Sequence, residues 1–363
     1  MVFTGKKIKV LFRVDASATI GSGHLMRCLA LAQTWQDFDG KAVFAVATEI
    51  GNLQKRLETE GIIVYPLSAI SGSQEDAAAT IALAEQLNVS WLVVDGYQFG
   101  SEYQQQLKQA GLKVLFIDDY GHADFYEADF VLNQNVSASE SLYSFCASHT
   151  QLLLGTQYVL LRREFRQWQG WQRDHPKVAR KILVTLGGSD PDNVTLKVMQ
   201  ALSAIAEPAL EVVVVIGGNN PYQQQLEKVA QQSPFPMRLR QNVTNMPALM
   251  AWADVAIAAG GSTNWELAFM GLPSIILTVA DNQSAIAQRL GDLGVTVSLG
   301  WHQQLTVNQL TTAISNLLIE QQQRQQMSQQ GKQLVDGLGS QRVIEIMKIG
   351  YLKWALLNQD MIK

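Results

Sequence analysis

Short apolar, β-branched runs alternate along this chain with longer stretches of helical period, the pattern of parallel strands joined by crossover helices. In the first half it predicts strands at Ile8 to Val14, Ala42 to Ala47, Ile62 to Tyr65, Trp91 to Asp95, Lys113 to Asp118 and Phe130 to Asn133. The first helix is the clearest, because Leu25, Cys28, Leu29 and Ala32 recur at i, i+3, i+4 and i+7 and form one apolar face. Between Arg162 and Lys181 the pattern gives way to Arg, Gln and Trp, and Asp174, His175 and Pro176 stop any helix. A second alternation follows, with strands expected at Ile182 to Leu186, Val212 to Ile216, Val255 to Ala258, Ser274 to Leu277 and Thr296 to Leu299. The Gln-rich stretch from Gln303 to Gln333 keeps a helical apolar face in Leu305, Leu310, Ile314, Leu317 and Leu318, so it is expected as surface helix. The fold class is therefore α/β: two doubly wound parallel-sheet domains in tandem, at 1–170 and 178–342, followed by a last helical segment at 343–363.

A length of 363 residues suits two domains, each large enough to bury its own core. Charged residues make up only 17% and the net charge is −4, which offers no basic footprint for nucleic acid or an anionic membrane. The two cysteines, Cys28 and Cys146, are far apart and match no metal spacing, so a reducing, cytoplasmic setting is expected. Lys6, Lys7 and Lys9 precede an apolar run that Arg13 interrupts, which reads as a first strand and not a signal peptide. No apolar stretch approaches the ~20 residues that span a bilayer, and membrane insertion is not expected.

In open parallel sheets ligands lie beyond the carboxyl ends of the strands, so the residues just after each strand carry the chemistry. Strand one runs through Arg13 and Asp15 into a loop with Gly21 and Gly23, and His24 falls in the first turn of the following helix. The positive helix start disfavours imidazolium, so a neutral ring able to take a proton from water is expected there. The alternative is that Ser22 caps the helix and His24 is an ordinary first-turn residue. Gly-x-Gly without a third glycine, and with no acidic end to strand two, is not a dinucleotide fingerprint. In the second half, Gly260, Gly261, Ser262 and Thr263 lead from a buried strand into a helix, where free N–H groups can hold a diphosphate without a P-loop lysine. Glu266, one turn on, suits ribose hydroxyls, but Thr263-x-x-Glu266 is also a capping box. Trp265 is expected in the core.

Gly187-Gly188-Ser189-Asp190 and Gly217-Gly218-Asn219 let backbone approach a ligand or simply turn the chain, and the second turn is read as structural. Asp281-Asn282-Gln283 offers amides for sugar hydroxyls or N-acetyl groups. Asp95, Gly96 and Tyr97, then Asp118, Asp119 and His122, form an acidic rim. Strand-end aspartates commonly cap loops, and neither a metal nor a cofactor is expected. No Gly-x-Ser-x-Gly elbow or Cys–His pairing occurs.

In this order the segments resemble the PseG family, the UDP-2,4-diacetamido-2,4,6-trideoxy-β-L-altropyranose hydrolases of pseudaminic acid biosynthesis. The resemblance rests on Arg13-x-Asp15 with Gly21-x-Gly23-His24 and Arg27, Asp95-x-Tyr97, Asp118-Asp119, Gly187-Gly188-Ser189-Asp190, Gly260-Gly261-Ser262-Thr263 with Glu266, and Asp281-Asn282-Gln283. The later motifs are shared with MurG-like enzymes, so the Gly-x-Gly-His segment carries most of the discrimination. The resemblance implies a GT-B architecture, two Rossmann-like domains facing across a cleft, with the last helix crossing back to the first domain. It implies His24 as the catalytic base, uracil read by the loop Asn242 to Met246 that holds Val243, diphosphate at Ser262 and Thr263 beside Gly261 of the substrate-binding set, ribose at Glu266, and the sugar near Tyr97 and Asn282. Arg13, Asp15, Gly23, Gly188 and Gln283 complete the expected substrate-binding set. The expected partners are a UDP-sugar and the product UDP, the chain acting as a monomer. The rival readings are a glycosyltransferase of the same fold, with an acceptor hydroxyl in place of water, and a noncatalytic nucleotide-sugar sensor.

Overall fold

The computed structural model describes residues 8–17, 20–188, 190–207, 209–218 and 220–357, with side chains as far as Gly350; Ser189 and Asn219 lie outside the described residues. The chain forms two compact units. One runs to Arg163 and takes up the chain again from Gly337, and the other is Glu164–Asp336.

The first unit contains β1 (Lys9–Val14), α1 (Gly23–Asp37), β2 (Lys41–Val46), α2 (Asn52–Thr59), β3 (Ile63–Pro66), α3 (Gln74–Leu87), β4 (Trp91–Asp95), α4 (Ser101–Gln109), β5 (Val114–Ile117), β6 (Phe130–Asn133) and β7 (Gln151–Leu154). All seven strands are parallel, in the order β3-β2-β1-β4-β5-β6-β7. Both faces of this sheet are covered, which is why its central strands read as unbroken apolar runs. Val10, Phe12 and Val14 of β1 pack with Leu25, Cys28 and Leu29 of α1, while Leu11 joins Val94, Phe116 and Tyr103 on the other face.

The second unit contains β8 (Lys181–Thr185), α5 (Val194–Ser203), β9 (Glu211–Ile216), α6 (Gln223–Gln231), β10 (Met237–Gln241), α7 (Met246–Trp252), β11 (Val255–Ala259), α8 (Thr263–Phe269), β12 (Ser274–Thr278), α9 (Ser284–Asp292), β13 (Thr296–Trp301), α10 (Val307–Ile319) and α11 (Gln321–Leu334). Its parallel sheet has the order β10-β9-β8-β11-β12-β13. The last helix, α12 (Gly339–Leu357), then packs on α1 of the first unit through Val343, Ile344 and Met347. A Cβ on Gly339 would stand 2.3 Å from the carbonyl oxygen of Val159, so only glycine lets the helix start that close.

Three features differ from the sequence pattern. Two edge strands were absent from it: β10, where exposed Arg238 and Arg240 alternate with Met237 and Leu239, and β7, which opens on exposed Gln151. The arginines of β10 resist pairing with other chains but break the apolar run that announces a strand, and β7 is only four residues long. The Gln-rich stretch is two helices, because the buried guanidinium of Arg324 donates to the carbonyls of Leu317 (2.7 Å) and Leu318 (2.6 Å) and closes α10 there.

The connecting segment also divides earlier than the patterning suggested. Residues 164–170 belong to the second unit, where Phe165 packs against Phe269, and residues 337–342 belong to the first. Arg173 secures the connection. Its buried guanidinium donates to the closing carbonyls of α7, at Met250 and Ala253, and of α8, at Met270 and Gly271. A cation at two helix C-termini satisfies orphan carbonyls and complements both dipoles. Burial pushes its pKa down to about 10, against the opposing pull of Asp254, so it stays charged at neutral pH.

Candidate active site

In each sheet the chain turns in opposite directions from two neighbouring strands, β1 and β4 in the first and β8 and β11 in the second. Loops diverge at such switch points and leave a crevice at the carboxyl ends. Sequence-distant residues meet there. After β1 the chain turns through Gly21, whose φ of +80° favours glycine and whose N–H donates to the carbonyl of Ser17 (2.8 Å), then enters α1. Ser22 occupies the N-cap position of α1, but its side chain makes no capping hydrogen bond. Gly23 opens the helix and places His24 in its first turn.

His24 is held by the last residue of β4: its Nδ1 lies 2.7 Å from Asp95 Oδ1. Arg27, one helical turn on, donates to both Asp95 oxygens, from Nε (2.7 Å) and Nη2 (2.7 Å), and from Nη1 to Asp119 (2.6 Å). Asp119 also accepts the Tyr97 hydroxyl (2.7 Å) and the Asn135 amide (2.9 Å). Burial alone would raise the Asp95 carboxyl, but the Arg27 charge, then His24 and their hydrogen bonds hold it below the usual carboxylate range. Asp119 is lowered likewise, chiefly by Arg27 acting against burial.

These carboxylates assign the imidazole tautomer. An ionised Asp95 can only accept, so a 2.7 Å contact requires the proton on His24 Nδ1. Arg27 Nη2, 3.1 Å from the same nitrogen, is then a second donor converging on Asp95 Oδ1. In the neutral ring the lone pair is left on Nε2, which makes no hydrogen bond among the described residues. The Tyr97 ring stands edge-on to the imidazole at 4.8 Å and 84° and limits its rotation. With the ring neutral, the direction of that lone pair is fixed, and the orienting carboxylate is itself neutralised by Arg27. Cys28 also faces Asp95, but burial first, and the Asp95 charge next, push its thiol up and keep it protonated.

Arg13 and Asp15 take a different place from the one expected. Arg13 is fully buried, forked onto Asp76 (2.9 and 2.8 Å) and paired with Asp15 (2.9 Å). Asp15 accepts from the Ala47 amide (2.7 Å), the Ser71 hydroxyl (2.7 Å) and the Gln98 amide (3.1 Å). Their polar atoms face one another, so they tie the ends of β1 and β2 to α3 and position the loop that leads to His24.

Asp118 and Asp119 are likewise engaged. Asp118 accepts from Tyr143 (2.7 Å) and the Gly121 amide (2.6 Å) and pairs with His122 (2.5 Å). Among the described residues no three His, Cys, Asp or Glu side chains are arranged to hold a metal ion.

In the second unit Gly260 donates its N–H to Leu277 O (3.1 Å) and Gln283 Oε1 (3.1 Å), whereas the N–H groups of Gly261, Ser262 and Thr263 have no protein partner among the described residues. The helix cap is Ser262, without a side-chain capping bond, so Thr263 is the first helical residue and the Thr263–Glu266 capping box does not form. Glu266 is half-buried and Trp265 lies in the core. Gln283 has a structural task as well, because its Oε1 also accepts Val279 N (3.1 Å) and clamps the β11 turn to the end of β12. Gly188, exposed at the end of β8, sits so close to Gly217 that a Cβ there would stand 1.7 Å from its carbonyl oxygen. Val243 lies half-buried in the loop after β10, and Asn282 is exposed in the turn after β12.

The sequence singled out His24 and Tyr97 but gave Asp95, Arg27 and Asp119 no part in fixing the base. The available signal was an i, i+3 His–Arg pair opening the helix after β1, together with an acidic end to a neighbouring strand.

Comparison with known proteins fits this layout. Residues 182–341 match the glycosyltransferase family 28 C-terminal domain. A protein of Methanocaldococcus jannaschii is 25% identical over 276 residues, covering 74% of this chain, and the match spans only 55% of that protein's length. The spore coat polysaccharide biosynthesis protein SpsG of Bacillus subtilis is 29% identical, over 65% of this chain and 68% of its own. The UDP-2,4-diacetamido-2,4,6-trideoxy-β-L-altropyranose hydrolase of Campylobacter jejuni is 26% identical, over 80% of this chain and 98% of its own. The likeness to the PseG hydrolases read from the motifs is borne out. Among solved structures, MurG of Acinetobacter baumannii superposes with a TM-score of 0.65 at 17% identity, covering 94% of this chain and 99% of that one. Anabaena Alr3699/HepE, solved in complex with UDP-glucose, has a TM-score of 0.61 at 15% identity and covers 94% and 99%. Both likenesses show the fold, two Rossmann-like parallel-sheet domains of GT-B type.

Proposed function

We propose that this protein is a hydrolase that frees UDP from a UDP-2,4-diacetamido-2,4,6-trideoxy hexose of L-altrose type, as in pseudaminic acid biosynthesis. Water attacks the anomeric carbon and the configuration there inverts. The observation that carries this reading is the Asp95–His24 pair, whose tautomer leaves the Nε2 lone pair available to take a proton from water. The 26% identity with the Campylobacter jejuni hydrolase supports the substrate class.

UDP is a good leaving group, so no strong general acid is required. The bare amides of Gly261, Ser262 and Thr263 would receive the diphosphate and stabilise the charge that grows on it, with Glu266 at the ribose, Val243 at the uracil, and Gly188, Gln283 and Asn282 around the phosphates and sugar. Gly23 and Tyr97 would border the reacting carbon, and the protein would work as a cytoplasmic monomer. Its described helices include none long and apolar enough to cross a membrane.

A glycosyltransferase is the second reading, favoured by the family 28 match over 182–341. The two differ in a single measurement. Purified protein given the UDP-diacetamido sugar and no acceptor should release UDP through many turnovers, followed by phosphorus NMR. Release that waits for an added acceptor would establish the transferase and end the hydrolase reading.

A further inference from the structure

Beside the base stands an aromatic corner that the proton transfer does not use. Tyr97 lies edge-on to His24, its hydroxyl tied to Asp119 (2.7 Å), and the Tyr120 ring meets it at 5.1 Å and 54°. Both rings rest on His122, at 5.7 and 5.9 Å, which Asp118 holds in place. Tyr120 is therefore packed on one side and, at 47% exposed, open on the other, at the carboxyl end of β5 where ligands bind in such sheets.

The charges around the corner have one sign to spare. Asp95 and Asp119 share a single guanidinium, while Asp118 is taken up by His122, Tyr143 and the Gly121 amide, and Arg27 is only 7% exposed with its donors taken by Asp95 and Asp119, so it has little left for an anion. The ligand that suits two tilted ring faces in a negative field is uncharged and carries methyl-bearing substituents, which pack on aromatic faces through their C–H groups.

We propose that Tyr120, backed by Tyr97, is the sugar-selecting wall of this site, favouring sugars with acylamino or deoxy methyl groups over plain hydroxyl sugars and excluding sugar acids. The inference rests on the nucleotide-sugar reading above. Its test is calorimetric and needs no turnover: UDP, UDP-N-acetylglucosamine, UDP-glucose and UDP-glucuronate are titrated into wild type, Tyr120→Ala and Tyr120→Phe.

Wild type should bind the N-acetyl sugar about 10-fold or more tighter than UDP-glucose, the scale of one apolar group in a fitted pocket, and UDP-glucuronate weakest. Tyr120→Ala should lose that preference while its affinity for UDP is unchanged. Tyr120→Phe should keep it, because the ring face and not the hydroxyl makes the contact. Equal preference ratios in wild type and Tyr120→Ala, or loss of preference in Tyr120→Phe, would overturn the inference and leave the hydrolase reading standing. Failure of wild type to bind any UDP-sugar would overturn both.

Discussion

Replacing His24 with alanine should lower turnover by ~10²–10⁴-fold, the usual cost of losing a positioned base. Affinity for UDP should stay within about a factor of two, because on the proposed reading the nucleotide contacts lie in the second unit and the loss falls on the transition state alone. The substitution removes one ring from the start of α1 and leaves Asp95 still paired with Arg27 at 2.7 Å from two donors, so the local ion pair survives. Turnover measured beside calorimetric UDP binding separates loss of the base from loss of the fold. Near-wild-type hydrolysis by a variant that still binds UDP would remove His24 from the mechanism.

Asp95→Asn should be nearly as damaging for a different reason. The amide can donate to Nδ1, which moves the ring proton to Nε2 and points an N–H, not a lone pair, at the water. Reversing the tautomer in a serine-protease triad costs roughly 10⁴-fold in turnover, an upper bound for this site. The loss should appear in kcat with little change in KM, and Asp95→Glu should recover part of it. A full-activity Asp95→Asn enzyme would show that the carboxylate does not orient the base.

The same carboxylate makes a statement about acid. Its folded pKa lies below the ordinary value, so its stabilising contribution is complete above the unfolded value of about 3.9 and is lost as pH falls through the lower folded one. Asp118 and Asp119 behave alike. Thermal unfolding of wild type should therefore be insensitive to these groups from neutral pH down to about 4 and weaken below it, whereas Asp95→Asn should give up part of the stability at neutral pH and lose less on acidification.

How much of this was legible before folding depends on the distance over which a residue finds its partner. The central strands announce themselves because both faces are buried, as the run from Trp91 to Asp95 shows; β10 does not, because an edge strand such as Met237–Gln241 spends alternate positions on solvent, and β7 is only four residues long. His24 was readable from its own glycine loop. Its orienting partner was not, since Asp95 lies 71 residues away and becomes a neighbour only through the order β1-β4. Arg13 and Asp15 mislead for the same reason: a charged pair at a strand end looks like a binding edge until Asp76, 63 residues on from Arg13, closes over it. At Thr263 a shift of one residue in where the helix begins separates a capping box from free amides.

Hydrolysis in water enriched with oxygen-18 tests the core of the account most directly, with the products read by mass spectrometry and proton NMR. Water attack at the anomeric carbon places the label in the sugar hydroxyl, leaves UDP unlabelled, and gives the inverted anomer first. Label in the terminal phosphate of UDP, or first release of the retained anomer, would contradict it.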